Sequence, residues 1–167
     1  MQITVHDTLV PTANRFLGNL DKILDKALVF AQRKEFEPSV LLDARLAPDM
    51  LAFTRQVQIA CDMAARGVAR LSGTDVPSFP DTETTIPELK ARIAKALAFV
   101  NSVPAAKYAG CEQREIVFTT RRGEQKFDGL GYLRDFILPN LFFHITTAYA
   151  ILRHNGVELG KNDFLVG

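Results

Sequence analysis

The apolar positions of this chain recur mostly at spacings of three and four, the repeat of helices that each bury one face. From about Asp7 to Arg33 the series Leu9, Ala13, Phe16, Leu20, Ile23, Ala27 and Phe30 marks a first helix, and Leu17, Leu24 and Leu28 widen its face enough to meet two neighbours. Pro11 falls in its opening turns, where a missing N–H costs little, and Glu37-Pro38 ends the segment because the residue before proline avoids helical angles. A second helix is predicted to begin after Ala47-Pro48 and to run through Leu71, with Met50, Phe53, Val57, Cys61, Ala64, Val68 and Leu71 on one side and Ser72-Gly73 as its stop.

The next twelve residues, TDVPSFPDTETT, have the composition of a loop. They predict a long crossover, which lets the chain return parallel to the helix it has just left. Thr85-Ile86-Pro87-Glu88 matches a capping box, and a third helix follows to about Ser102 with Leu89, Ile93, Ala96, Leu97 and Val100 inward. Between Arg114 and Gly129 the period shortens to two, with Ile116 and Phe118 alternating against Val117 and Thr119. The chain turns back at Arg121-Arg122-Gly123-Glu124, giving a short β-hairpin that must pack on the bundle or on a second subunit. Arg121 and Arg122 read as solvated turn residues and not as an anion site.

The last long segment, Gly131 to Gly156, turns Leu133, Ile137, Leu141, His144, Ala148 and Ile151 to one side. Pro139 removes a donor and predicts a kink near Asp135 to Leu138, a distortion that can open a pocket. Arg153 and His154 suit the negative end of the helix dipole, and Asn155-Gly156 resembles a stop. The pattern as a whole predicts an all-α protein, a four-helix bundle with a long crossover between helices 2 and 3 and a hairpin before helix 4, forming one domain over residues 1–167.

Composition then narrows the function classes. Lys+Arg 20 against Asp+Glu 19 leaves a net charge of +1, with the two signs interspersed, so there is no footprint for DNA or RNA. The start of the chain has no basic region followed by an apolar one, and so does not read as a secretory signal. Phe136 to Leu152 is uncharged but falls short of the ~20 residues a bilayer crossing needs, and it holds Pro139, Asn140 and His144. A cytoplasmic protein without membrane contact is the expectation. Cys61 and Cys111 form no metal-ligand spacing and read as free thiols, Cys61 as a small core residue. None of Ser39, Ser72, Ser78 or Ser102 lies in a GxSxG elbow, which argues against a serine hydrolase.

The remaining chemistry centres on His144, whose place in an apolar stripe demands a partner. It could be a metal ligand, an acid or base, or a satisfied core residue, with its proton donated to a carboxylate such as Asp49 or to a backbone carbonyl. His154 lies ten residues on, about 15 Å along a helix, so the two cannot share an ion.

The block FFHITTAYAILRHNGVELGKNDFLVG, together with Leu46-Ala47-Pro48-Asp49-Met50, resembles an uncharacterised bacterial family of the DinB-like (DinB/YfiT) four-helix-bundle superfamily, over nearly the whole chain. The resemblance implies a bundle with a long crossover, frequent homodimers and, in many members, a divalent metal such as Ni, Zn or Mn held by three histidines. One of these comes from the second helix and two from the fourth. Here His144 matches the first position on the fourth helix, Ala148 stands at the second, and the second helix has no histidine. Asp49 or His6 would have to stand in.

Two function classes follow. The first is a cofactor-free module, forming a homodimer, that binds an unknown small molecule or a protein partner. The second is a divalent-metal-dependent, thiol transferase-like enzyme built on His144. In either, the centre is expected between helices 2 and 4, with His144 central and Asp49, Gln56 and Tyr149 as further candidates, although Tyr149 stands ~140° around the helix from His144.

Overall fold

A computed structural model describes residues 3–120 and 123–167. Helix α1 spans Val5–Arg33 and opens on a reciprocal cap, in which the Asp7 amide donates to Thr4 Oγ1 at 3.1 Å and the Thr4 amide to the Asp7 carboxylate at 3.3 Å. The cap starts the helix two residues before the predicted Asp7, which moves Pro11 into its second turn. A 3-10 turn at Pro38–Leu41 follows, with Leu41 and Leu42 buried.

Helix α2 spans Phe53–Ser72. It does not begin right after Pro48 as predicted: Ala47 to Met50 form a turn closed by the Met50 amide on the Ala47 carbonyl at 3.0 Å. The reason lies in how the helix start is satisfied. The Phe53 amide donates to the Ala44 carbonyl at 2.9 Å and the Thr54 amide to the Leu42 carbonyl at 3.1 Å, so the preceding loop folds back as the cap. Gly73 ends α2 in the left-handed region at φ +72, which a glycine adopts without strain.

Helix α3 spans Ile86–Ser102 and carries the predicted Thr85/Glu88 capping box. α1 packs on α3, α3 on α2, α2 on α4 (Gly129–His154) and α4 back on α1, so four helices close around one apolar core. Gln58 reaches Glu83 just before α3, and Asp62, one turn on, reaches Arg92. Contacts that advance together along both helices mean that α2 and α3 run parallel, which the crossover of residues 74–85 makes possible.

Strands β1 (Ile116–Thr120) and β2 (Gly123–Phe127) form the antiparallel hairpin, with Ile116 opposite Phe127 and Thr120 opposite Gly123. Arg121 and Arg122, read above as solvated turn residues, lie outside the described residues. The hairpin docks through Phe118 and Phe127, which meet Tyr132 and Phe136 of α4, while the Arg70 guanidinium sits 4.2 Å over the Phe118 ring. Gly129 permits this join, since a Cβ there would lie 1.8 Å from the Cys111 carbonyl oxygen.

Helix α4 absorbs Pro139 differently from the simple kink predicted. Tyr132–Ile137 form a π-helical turn, in which the Leu138 amide reaches the Leu133 carbonyl, before regular helix resumes over Leu138–His154. The Asn140 side chain donates to the Phe136 carbonyl at 2.6 Å. Although α4 is long and apolar enough to pass for a membrane span, it is the helix that packs along α2 in the core, and Leu133, Ile137, Leu141, Ala148 and Ile151 are all buried there. A short helix α5, Lys161–Leu165, closes over α1.

Candidate functional site

The first turns of α2 carry polar groups on two faces. On the face toward α4, His144 is buried and its Nδ1 lies 2.7 Å from Gln56 Oε1. The Gln56 amide nitrogen donates to the Leu51 carbonyl at 3.1 Å, which identifies Oε1 as the acceptor and places the imidazole proton on Nδ1. In this tautomer Nε2 carries the lone pair. Burial, aided by the positive charge of Arg55, lowers the His144 pKa from 6.5 to about 4, so the ring is neutral at pH 7. The Phe143 ring meets it edge-on at 5.2 Å.

The other predicted residues do not join this pair. Asp49 is exposed in the turn before α2, so Gln56, and not Asp49, is the partner of His144. Tyr149 is half-buried and packs on Phe164 of α5. His6 lies against Tyr108, with Nδ1 3.5 Å from Asp7, and His154 is exposed at the end of α4. Cys61 is fully buried, and burial pushes its thiol up to about 12, which removes it as a nucleophile at neutral pH.

The three-histidine metal site that the resemblance implies does not fit these side chains. Among the described residues, no three His, Cys, Asp or Glu side chains gather to hold an ion. The second-helix position facing His144 is taken by Gln56, whose oxygen is already committed to Nδ1, and Ala148 is buried at the other α4 position.

The opposite face of α2 carries a charged network that periodicity did not reveal. Arg92 of α3 has a side chain only 1% exposed, and it reaches Asp62 of α2 at 2.7 Å and Asp81 and Glu83 of the crossover at 3.0 Å each. Its Nη1 also donates to the Pro80 carbonyl, and its guanidinium lies 5.6 Å from the centre of the Phe79 ring. Arg55 adds a second contact to Asp81, Arg66 a second to Asp62, and Gln58 donates to Glu83 at 2.8 Å. Burial alone would raise the Glu83 pKa, but the hydrogen bonds from Arg92 and Gln58 outweigh it and hold the carboxyl below its usual range. Three guanidiniums thus meet three carboxylates, and the crossover is strapped to the bundle.

Beside this strap lies a cleft of about 430 Å³, lined by Leu42, Asp43 and Arg45 of the loop before α2, by Arg55 and Gln58 of α2 and by Glu83 of the crossover. His144 is not among its lining residues. A shallower apolar groove of about 360 Å³ runs along α4 between Leu46, Phe142 and Phe143, where Phe143 is 57% exposed.

Comparison with known proteins adds two findings. Residues 5–165 match the model of a domain of unknown function, DUF1993. The structure is similar to the crystal structure of a DinB family member protein from Shewanella denitrificans, with a TM-score of 0.91 and 44% identity over 97% of this chain and 92% of that one. No curated protein matches the chain.

Proposed function

Because this chain belongs to the DUF1993 family and has the DinB-like fold, we propose that it is a metal-free member that binds a small polar ligand in the cleft beside its crossover and works as a homodimer in the cytoplasm. The observation that carries the metal-free reading is the His144–Gln56 bond. A glutamine whose oxygen accepts from Nδ1 and whose amide is tied to Leu51 supplies a neutral hydrogen bond where a metal-binding relative needs a donor to the ion. His144 therefore acts as a polar brace between α2 and α4. The room for a ligand is on the other face of the same helix, where about 430 Å³ is walled by charged side chains of both signs.

The dimer part of the proposal rests on the exposed apolar groove of Leu46, Phe142 and Phe143, which a second copy would cover. Sedimentation of wild type and Phe143→Glu tests it, since a monomeric wild type removes that part. The metal-free part is tested by elemental analysis of untagged protein, followed by titration with Ni²⁺, Zn²⁺ and Mn²⁺. The expected result is no stoichiometric binding. Binding that disappears in His144→Ala would overturn the reading and make a thiol transferase-like activity the next thing to assay. No observation favours that enzyme reading over the binding module.

A further inference from the structure

We infer that the cleft beside the crossover recognises a small zwitterion of the amino-acid kind, its ammonium on Asp43 and its carboxylate on the guanidinium edges of Arg45 and Arg55. The inference rests on the ligand-binding reading above and adds the chemical class of the ligand.

The argument starts from which charges in the cleft are already answered. Asp81 and Glu83 are held by Arg92, with Arg55 and Gln58 adding one contact each, and Asp62 is shared by Arg92 and Arg66. That set of three cations and three anions is balanced within itself. Two charges in the cleft lie outside it. Asp43 is exposed and makes no hydrogen bond or ion pair among the described residues. Arg45 donates through Nη1 to the Met50 carbonyl and has no carboxylate partner among the described residues, although it stands only two positions from Asp43. Arg55 uses Nη1 for both Gln58 and Asp81, which leaves its other N–H groups for a ligand.

An unpaired anion and an unpaired cation two residues apart in the lining of one cleft place charges of both signs within reach of one ligand. A ligand with a single charge would answer one and leave the other, whereas a zwitterion answers both with charge-assisted hydrogen bonds. A forked guanidinium suits a planar carboxylate, and a lone carboxylate suits an ammonium. Leu42 and Ala52 give the cleft a small apolar surface for an aliphatic side chain, and its volume admits an amino acid or an unblocked dipeptide. The backbone that carries both residues is anchored, since the carbonyls of Leu42 and Ala44 cap α2, which lowers the cost of ordering it around a ligand.

The test is a thermal-shift screen of the full chain against free L-amino acids and unblocked dipeptides, with each hit repeated by calorimetry in its N-acetyl and C-amide forms. Affinity is expected to fall about tenfold or more when either terminus is blocked, and by a similar factor in Asp43→Asn and Arg45→Gln. Backbone amide shifts on binding should fall in residues 39–45 and 54–58 and leave His144 unmoved. Asp43 makes no internal bond, so Asp43→Asn should keep the wild-type melting temperature and carries the test if Arg45→Gln does not fold. A screen without a zwitterion hit, or hits indifferent to blocking and to Asp43→Asn, overturns the proposal. The same screen run with singly charged acids and amines separates the two levels. Binding of those in the cleft would keep the ligand-binding reading while removing the zwitterion, and an inert cleft would remove both.

Discussion

On one face of α2 a single 2.7 Å hydrogen bond joins His144 to Gln56, both neutral. On the other, within two turns, Arg92 is buried among Asp62, Asp81 and Glu83 with Arg55 and Arg66 closing the network. The neutral pair braces two helices that apolar packing already holds together, since Leu141, Ile145 and Ala148 beside it are fully or almost fully buried. The charged network holds something that packing does not, a proline-rich crossover with few apolar side chains to anchor it. A neutral hydrogen bond suffices where the hydrophobic effect sets the geometry. Full charges are used where a polar segment has to be fixed, and they set a much larger penalty for losing one partner.

The sharpest way to break the contrast is Arg92→Met. It keeps the length and apolar stem but leaves Asp62, Asp81 and Glu83 with too little positive charge, and should cost about 3–5 kcal/mol in urea unfolding. Adding Glu83→Gln to Arg92→Met should recover part of that loss, because one of the orphaned carboxylates is then neutral. If Arg92→Met costs no more than an ordinary surface substitution, the network does not hold the crossover.

Gln56→Leu is the matching change on the neutral side. It strands the His144 Nδ1 proton in a buried site and should cost less, about 1–3 kcal/mol by the same measurement. A cost equal to that of Arg92→Met would erase the distinction between the two faces. Gln56→Glu should move the other way in titration, since a carboxylate beside Nδ1 favours the charged ring, and NMR should find the His144 pKa well above about 4.

How much of this was readable from the chain follows the same division. His144 was visible because a titratable residue interrupts an apolar period, and the capping box at Thr85, the parallel return over the crossover and the hairpin all follow from local signals. The partner of His144 was not readable. The spacing puts Asp49 near the start of α2, but that start is set by carbonyls from Ala44 and Leu42, a contact no period encodes, and it leaves Asp49 in an outside turn while Gln56 faces α4. Arg92 was missed because it lies ~40° from Ala96 on the edge of the α3 stripe, where a charged residue reads as solvated. The signal that could have found it is the pair of acids, Asp81 and Glu83, in the segment leading into that helix.

A pH series sharpens the neutral side further. His144 has a folded pKa of about 4 against 6.5 in the unfolded chain, so between those values the unfolded state binds more protons. Its contribution to stability is therefore complete above pH 6.5, declines as pH falls, and levels off below about 4, with a slope of at most about 1.4 kcal/mol per pH unit. His144→Phe should remove this slope from the wild-type curve, and a curve that keeps it would assign the titration to another group.

The smallest expected effect comes from an ion pair of the same chemistry as the Arg92 contacts but without their burial. Arg33 and Glu158 meet at 2.6 Å with side chains 53% and 75% exposed. Water solvates both charges when the pair is broken, and holding two long side chains in one geometry costs entropy that offsets the attraction. Arg33→Gln should therefore leave the urea midpoint unmoved within error, at low salt and at high. The distance in this pair is shorter than any of the Arg92 contacts, so a null result here beside a large loss in Arg92→Met would show that the strap depends on burial of the guanidinium and not on the closeness of its partners. A measurable loss in Arg33→Gln would instead mean that ion pairing itself stabilises this fold wherever it occurs, and the contrast between the two faces of α2 would reduce to a count of charges.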